Sequence, residues 1–230
     1  LFNNPTNPSG VFYDENELLD IANFCVENNI IIITDEIYEK LVYDGKQYIS
    51  IASLSKDIYE NTITINGVSK SYAMTGWRIG YAAGPKDIIK AMGNLQGHIT
   101  SNPSSISQYA SVEALNTGDD SINKMVKEFE KRRNFVYENL SEIDEIEVFK
   151  PEGAFYIFPR IKNFFNRIYK GKKIKNSTDL CEYLLTEAKV AVVPGIAFGN
   201  DEHIRISYAN SMENLEKAMI RLKKYFQKLQ

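Results

Sequence analysis

Four clusters of polar residues sit where apolar runs stop. The first is Asn4-Pro5-Thr6-Asn7-Pro8-Ser9-Gly10, a proline-paced turn that presents two amides. The second, Asp35-Glu36-Ile37-Tyr38, follows directly on Ile30-Ile31-Ile32-Ile33-Thr34. The third is Ser69-Lys70-Ser71, with Gly76-Trp77-Arg78 downstream, and the fourth is Arg205-Ile206-Ser207-Tyr208. These residue types suit a small anionic ligand and proton transfer. A desolvated lysine amine acts as a nucleophile and moves protons, while guanidinium groups grip carboxylate or phosphate through paired hydrogen bonds. Singly, each has an ordinary reading: Asp35 as a strand-end carboxylate, Lys70 as a solvated amine, Arg78 and Arg205 as surface ion-pair partners, Asn7 as a turn former. Their joint placement points to a site, because ligands of open α/β sheets gather at the carboxyl ends of parallel strands.

The elements that must position them follow from periodicity. Asp14 or Asn16 caps a helix carrying Leu18, Leu19, Ile21, Ala22, Cys25 and Val26 on one side. Residues 30–34 read as a strand buried on both faces, 62–66 as a second strand, and 79–83 as a third, stopped by Gly84-Pro85. This alternation predicts an α/β sheet with helices on both faces. Helical patterns run from 86 to 140, broken at Asn102-Pro103 and at Thr117-Gly118-Asp119. After the turn Pro151-Glu152-Gly153 come a strand over 155–158, a basic irregular surface loop over 162–176, a helix over 178–188 and strands over 190–193 and 203–207. A helix over 212–228 ends the chain. The boundary falls in the long helical section, giving domains 1–120 and 121–230. The chain opens at Leu1 in what reads as mid-strand, so it is expected to be a fragment with sequence upstream.

Composition narrows the classes. With 43% hydrophobic and 25% charged residues and a net charge of -3, the 230-residue chain folds around a core and carries no large positive field for nucleic acid or an anionic membrane. No membrane span or signal peptide is legible. Two cysteines make no disulfide framework, and with two histidines they give no zinc spacing; a reducing compartment, the cytoplasm, is expected.

The residues together resemble the class I/II, fold-type-I aminotransferases that depend on pyridoxal 5′-phosphate (PLP). The matching segments are residues 4–10, Asp35-Glu-Ile-Tyr38, Ser69-Lys70 with Met74-Thr75-Gly76-Trp77-Arg78-Ile79-Gly80-Tyr81, Pro151-Glu-Gly-Ala-Phe-Tyr, Val192-Val193-Pro194-Gly195 and Arg205-Ile206-Ser207-Tyr208. They stand in the family's order and spacing, and the aspartate/aromatic branch is the nearest in pattern. The resemblance implies an α/β PLP-transferase fold, with part of the three-layer large domain and a smaller α/β C-terminal domain. It implies a Schiff base at Lys70, a ring-nitrogen partner in Asp35, partners for the phenolic oxygen in Asn7 and Tyr38, phosphate contacts from Ser69 and Arg78, and substrate binding by Arg205 and Asn7. Amino acid and 2-oxo acid are the implied substrates, and a homodimer the implied assembly.

One departure is local: where the family often has a serine three residues before the lysine, this chain has Gly67. The family's Gly/Ser-rich phosphate loop, stacking aromatic ring and N-terminal small-domain segment also have no counterpart here. Two other functions share the same pattern, a PLP-dependent β-lyase and an aminotransferase-like ligand-sensing domain of a transcription regulator. Trp77 is expected to pack beside Arg78, and His98 and His203 to be structural.

Overall fold

Asp14 opens the first helix. Its carboxylate accepts from the Asn16 and Glu17 amides (2.9 and 3.0 Å), while its own amide donates to Glu17 Oε2 (2.9 Å). This reciprocal cap starts α1 (Glu15–Glu27). At the other end Asn29 turns left-handed (φ 54°) and the Ile30 amide closes onto the Cys25 carbonyl (2.8 Å), while the Ile30 carbonyl accepts from Asn61 Nδ2 (2.9 Å). The amide of Ile30 thus serves the turn and its carbonyl serves Asn61, so Ile30 does not enter the ladder. Strand β2 is therefore Ile32–Asp35, shorter than the apolar run, and Ile30 and Ile31 are 45% and 50% exposed.

The structure is a computed structural model that describes residues 1–229. These fall into two compact units: Leu1–Thr6 with Val11–Val126, and Asn7–Gly10 with the chain from Lys127 onward. In the first unit, β1 (Phe2–Asn3), β2, β3 (Thr62–Gly67) and β4 (Gly80–Ala83) form a sheet in that order. The first three strands are parallel, and β4 runs antiparallel to β3 because residues 68–79 make a turn and no crossover helix. Helices α1 and α2 (Lys56–Glu60) cover the face carrying Ile32, where Leu18, Ala22, Ile51 and Ile58 complete a core.

Strand alternation puts Ile65 on the opposite face, and there cover is loose. Ile65 is 38% exposed, and α3 (Lys86–Thr100) has no buried residue. Between them lies a groove of about 440 Å³ lined by Ile65, Ala82, Ile89 and Met92. The expectation of helices packed on both faces thus holds tightly for one face. Helix α4 (Ser105–Thr117) also leaves Ile106, Tyr109, Val112 and Leu115 exposed.

The long α5 (Asp119–Ser141) carries the chain into the second unit. There β5 (Tyr156–Ile157) precedes a small hairpin, β6 (Ile168–Tyr169) with β7 (Lys172–Lys173). Lys170 and Gly171 both take positive φ (47° and 78°), the geometry of a two-residue hairpin turn, so the stretch read as irregular is partly paired. Helix α6 (Ser177–Tyr183) continues as a wider turn over Leu184–Ala188. Strands β8 (Val193–Pro194) and β9 (Ile204–Ser207) then join β5 in an antiparallel sheet ordered β5-β9-β8. The closing helix α7 (Met212–Phe226) buries Leu215, Met219, Leu222 and Phe226, spaced three and four residues apart on one face. No helix among the described residues is long and apolar enough to cross a membrane.

Candidate active site

The parallel strands of the first unit end in the candidate residues. Asp35 closes β2; its carbonyl accepts from Asn3 Nδ2 (2.9 Å) and the Asn4 amide (3.3 Å), and its Oδ1 accepts from the Ile37 amide (3.1 Å). That side-chain turn bends the chain after the strand and brings Tyr38 into the interior, 4% exposed. On the neighbouring strand, the turn after β3 holds half-buried Lys70. The turn is built mostly from main chain: the Tyr72 amide donates to the Val68 carbonyl (3.3 Å), the Ala73 amide to that of Lys70 (3.2 Å), and Thr75 Oγ1 to that of Ser69 (3.1 Å). Arg78 is exposed in a left-handed conformation (φ 57°), its Nη1 donating to the Thr75 carbonyl (2.8 Å). Trp77 closes a short helical turn over Thr75–Trp77 and is 46% exposed.

Asn7 and Arg205 belong to the second unit, and they meet. Arg205 Nη1 donates to Asn7 Oδ1 (2.8 Å), and the guanidinium lies between the rings of Tyr156 and Phe198, 4.4 and 4.8 Å from their centroids. Its Nε is buried with no hydrogen-bond partner. Such a donor is costly unless an acceptor arrives, which suits an anion-binding position. The Asn4–Gly10 cluster is therefore divided: Asn4 is buried in the first unit, its Oδ1 accepting from the Tyr13 amide (3.1 Å), while Asn7–Gly10 join the second. Gly10 sits at φ 70°, where a Cβ would lie 2.5 Å from Pro151 Cβ, so only glycine fits.

The sequence reading gave no role to Glu36, Tyr156 or Phe198. Alternation along β2 was the available signal for Glu36: it must face away from Asp35. Glu36 is 2% exposed and accepts from Ser50 Oγ (2.8 Å) and Thr34 Oγ1 (3.3 Å). Burial pushes its carboxyl above the ordinary range, against the pull of hydrogen bonds from Ser50, Tyr48 and Thr34, and nearby Glu39 adds to the rise. A carboxyl raised in the folded state contributes stability below its unfolded value that is lost as pH climbs through the folded one. Glu36→Gln is therefore expected to remove a decline of up to ~1.4 kcal/mol per pH unit on the alkaline side of pH ~4.5, read by urea unfolding at several pH values. Parallel wild-type and mutant curves would show that Glu36 ionises as freely folded as unfolded.

The sequence model of the aminotransferase class I and II family matches residues 1–222. The chain belongs to this family. It is 49% identical over 228 residues to the aspartate aminotransferase of Bacillus subtilis (strain 168), covering 99% of this chain and 57% of that protein. Among solved structures, the aspartate aminotransferase from Rhizobium meliloti superposes with a TM-score of 0.95 at 43% identity, over 100% of this chain and 58% of that one. The aromatic aminotransferase from Pyrococcus horikoshii OT3 gives 0.90 at 42%, over 98% and 59%. The chain thus spans somewhat over half the length of the aminotransferases it matches.

Membership in the aminotransferase family implies PLP as cofactor, and the residues present fit it. A carboxylate, Asp35, and an amine, Lys70, stand at the carboxyl ends of adjoining parallel strands, with the phenol of Tyr38 on the turn after the first. Those groups complement a pyridine nitrogen, an aldehyde and a phenolic oxygen. Gly67 has no room for the serine common in the family. A Cβ there would lie 2.8 Å from the Ile79 carbonyl and 3.2 Å from Gly80 Cα, where β3 and β4 meet.

Proposed function

We propose that the protein is a PLP-dependent aminotransferase that moves an amino group between an amino acid and a 2-oxo acid. The observation that carries this reading is the placement of Asp35 at the end of β2 and of Lys70 in the turn that follows the adjoining parallel strand β3. The bound cofactor supplies an electron sink that makes the Cα–H bond of an amino acid labile. Lys70 Nζ would hold the cofactor through its aldehyde and, once free, would be the amine that moves the substrate's Cα proton. Asp35 holds the ring nitrogen protonated, Tyr38 and Asn7 donate to the phenolic oxygen, and Ser69 with Arg78 binds the phosphate. Arg205 grips the substrate α-carboxylate, and Asn7 Oδ1 fixes the plane of its guanidinium.

The names of the similar proteins favour aspartate or an aromatic amino acid as donor. We place the enzyme in the cytoplasm, in keeping with two cysteines that form no disulfide; cell fractionation reads this. A homodimer is proposed as its assembly, supported by the exposed apolar residues of α4 and read by light scattering.

The direct test is to load the protein with PLP, reduce one portion with borohydride and map its labelled peptide, and follow the spectrum of an unreduced portion on adding aspartate or glutamate. Label on Lys70 with conversion to the pyridoxamine form is expected. Label without conversion by any amino acid would favour a lyase or a sensor, and label elsewhere would end the assignment.

A further inference from the structure

Helix α5 carries a fully buried charge, Arg133. The carboxylate of Glu130, 3.5 Å from its Nη2, is itself partly exposed. Burying a guanidinium is expensive, and its own stability return is poor unless its donors are used. Its Nη1 donates to the Pro151 carbonyl (2.9 Å), and its Nε to Asn134 Oδ1 (3.1 Å). The first bond leads towards the candidate site. Pro151 starts the turn whose next two amides, of Glu152 and Gly153, both donate to the Gly10 carbonyl (2.8 and 3.0 Å). Gly10 is so close to Pro151 that a shift of one moves the other. Three residues before it is Asn7, which holds Arg205.

A second route reaches the same place. The Tyr208 amide donates to the Phe155 carbonyl (3.0 Å) and the Tyr208 hydroxyl to that of Ala154 (3.2 Å). The 151–155 segment is thereby tied to the strand end that bears Arg205, three residues from it. All of these residues lie in the second unit.

We infer that Arg133 is a positioning residue for carboxylate binding: through the Pro151 carbonyl it fixes the turn that holds Gly10, and so the Asn7–Arg205 pair. The inference rests on the reading of Arg205 as the anchor of the substrate α-carboxylate. It touches neither substrate nor cofactor, so its effect is on geometry at Arg205.

The test compares PLP-loaded wild type with Arg133→Met and Arg133→Lys, using succinate, an unreactive dicarboxylate, titrated calorimetrically, together with amide hydrogen exchange. Arg133→Met is expected to bind succinate at least ~10-fold more weakly, as small displacements of positioning groups do. The Glu152 and Gly153 amides should exchange at least ~10-fold faster, while those of β2 and α1 are unchanged. Arg133→Lys, which keeps the charge and one donor centre, should fall between the two. Wild-type affinity in folded Arg133→Met overturns the inference, whatever the exchange shows. If Arg133→Met does not fold, wild-type affinity in Arg133→Lys overturns it instead. A wild type that binds no succinate removes the reading of Arg205 and this inference with it.

Discussion

Lys70→Ala is expected to lower kcat for transamination by ~10⁴-fold or more, since in the proposed mechanism one side chain both carries the cofactor and moves the Cα proton. The fold should not suffer. The turn around Lys70 is closed mainly by main-chain groups, with the Lys70 carbonyl accepting from the Ala73 amide, and the half-buried side chain contributes no core volume. Circular dichroism and thermal melting of the variant should therefore overlay the wild type while turnover with aspartate and 2-oxoglutarate disappears. An added primary amine, free to reach the emptied position, should restore a small part of the rate. Steady-state transamination near the wild-type level in Lys70→Ala would refute the mechanism proposed for this chain.

Arg205→Ala should act on binding. Removing one partner of a buried charge-assisted contact costs ~2–5 kcal/mol, so KM for the amino acid should rise ~30-fold or more. Because the α-carboxylate is held alike before and during proton transfer, kcat should change much less than KM. Arg205→Lys should recover little. A lysine presents a point charge where the carboxylate needs two parallel donors, and it cannot reproduce the planar contact between Tyr156 and Phe198. Initial rates over a range of aspartate concentrations separate these cases. A fall in kcat alone would mean that Arg205 works on the reacting bonds and not on the carboxylate.

What could be read from the sequence was mainly local chemistry. A cap at Asp14 or Asn16 was legible because both stand just before an apolar stripe of helical period, and the structure selects Asp14. The strand ends at Asp35 and before Lys70 were legible from abrupt changes of polarity. The family segments, read together, carried the roles now proposed. Ile30 and Ile31 were misplaced because apolarity does not show which amides a preceding helix will use to terminate. The hairpin within 162–176 was missed since its two strands are only two residues each and mostly exposed. Arg133 was silent for a different reason. In a helix rich in charged residues nothing marks one arginine as the buried one, and its partner lies eighteen residues onward. Phe198 and Tyr156, forty-two residues apart, become neighbours only through Arg205.

The four residues Asn7–Gly10 are set into the second unit while the chain on either side of them belongs to the first. This has a consequence for how such a protein can be cut, fused or recombined. A gene segment beginning at Lys127 would encode almost all of the second unit and still omit the oxygen that Arg205 holds and the carbonyl that caps the Glu152 and Gly153 amides. Supplying Asn7–Gly10 as a separate peptide would cost the entropy of fixing a free chain, which the continuous polypeptide avoids. The second unit is thus not a cassette that evolution or an engineer could exchange whole; inheritance of its Asn7–Arg205 contact is bound to inheritance of the N-terminal strand region.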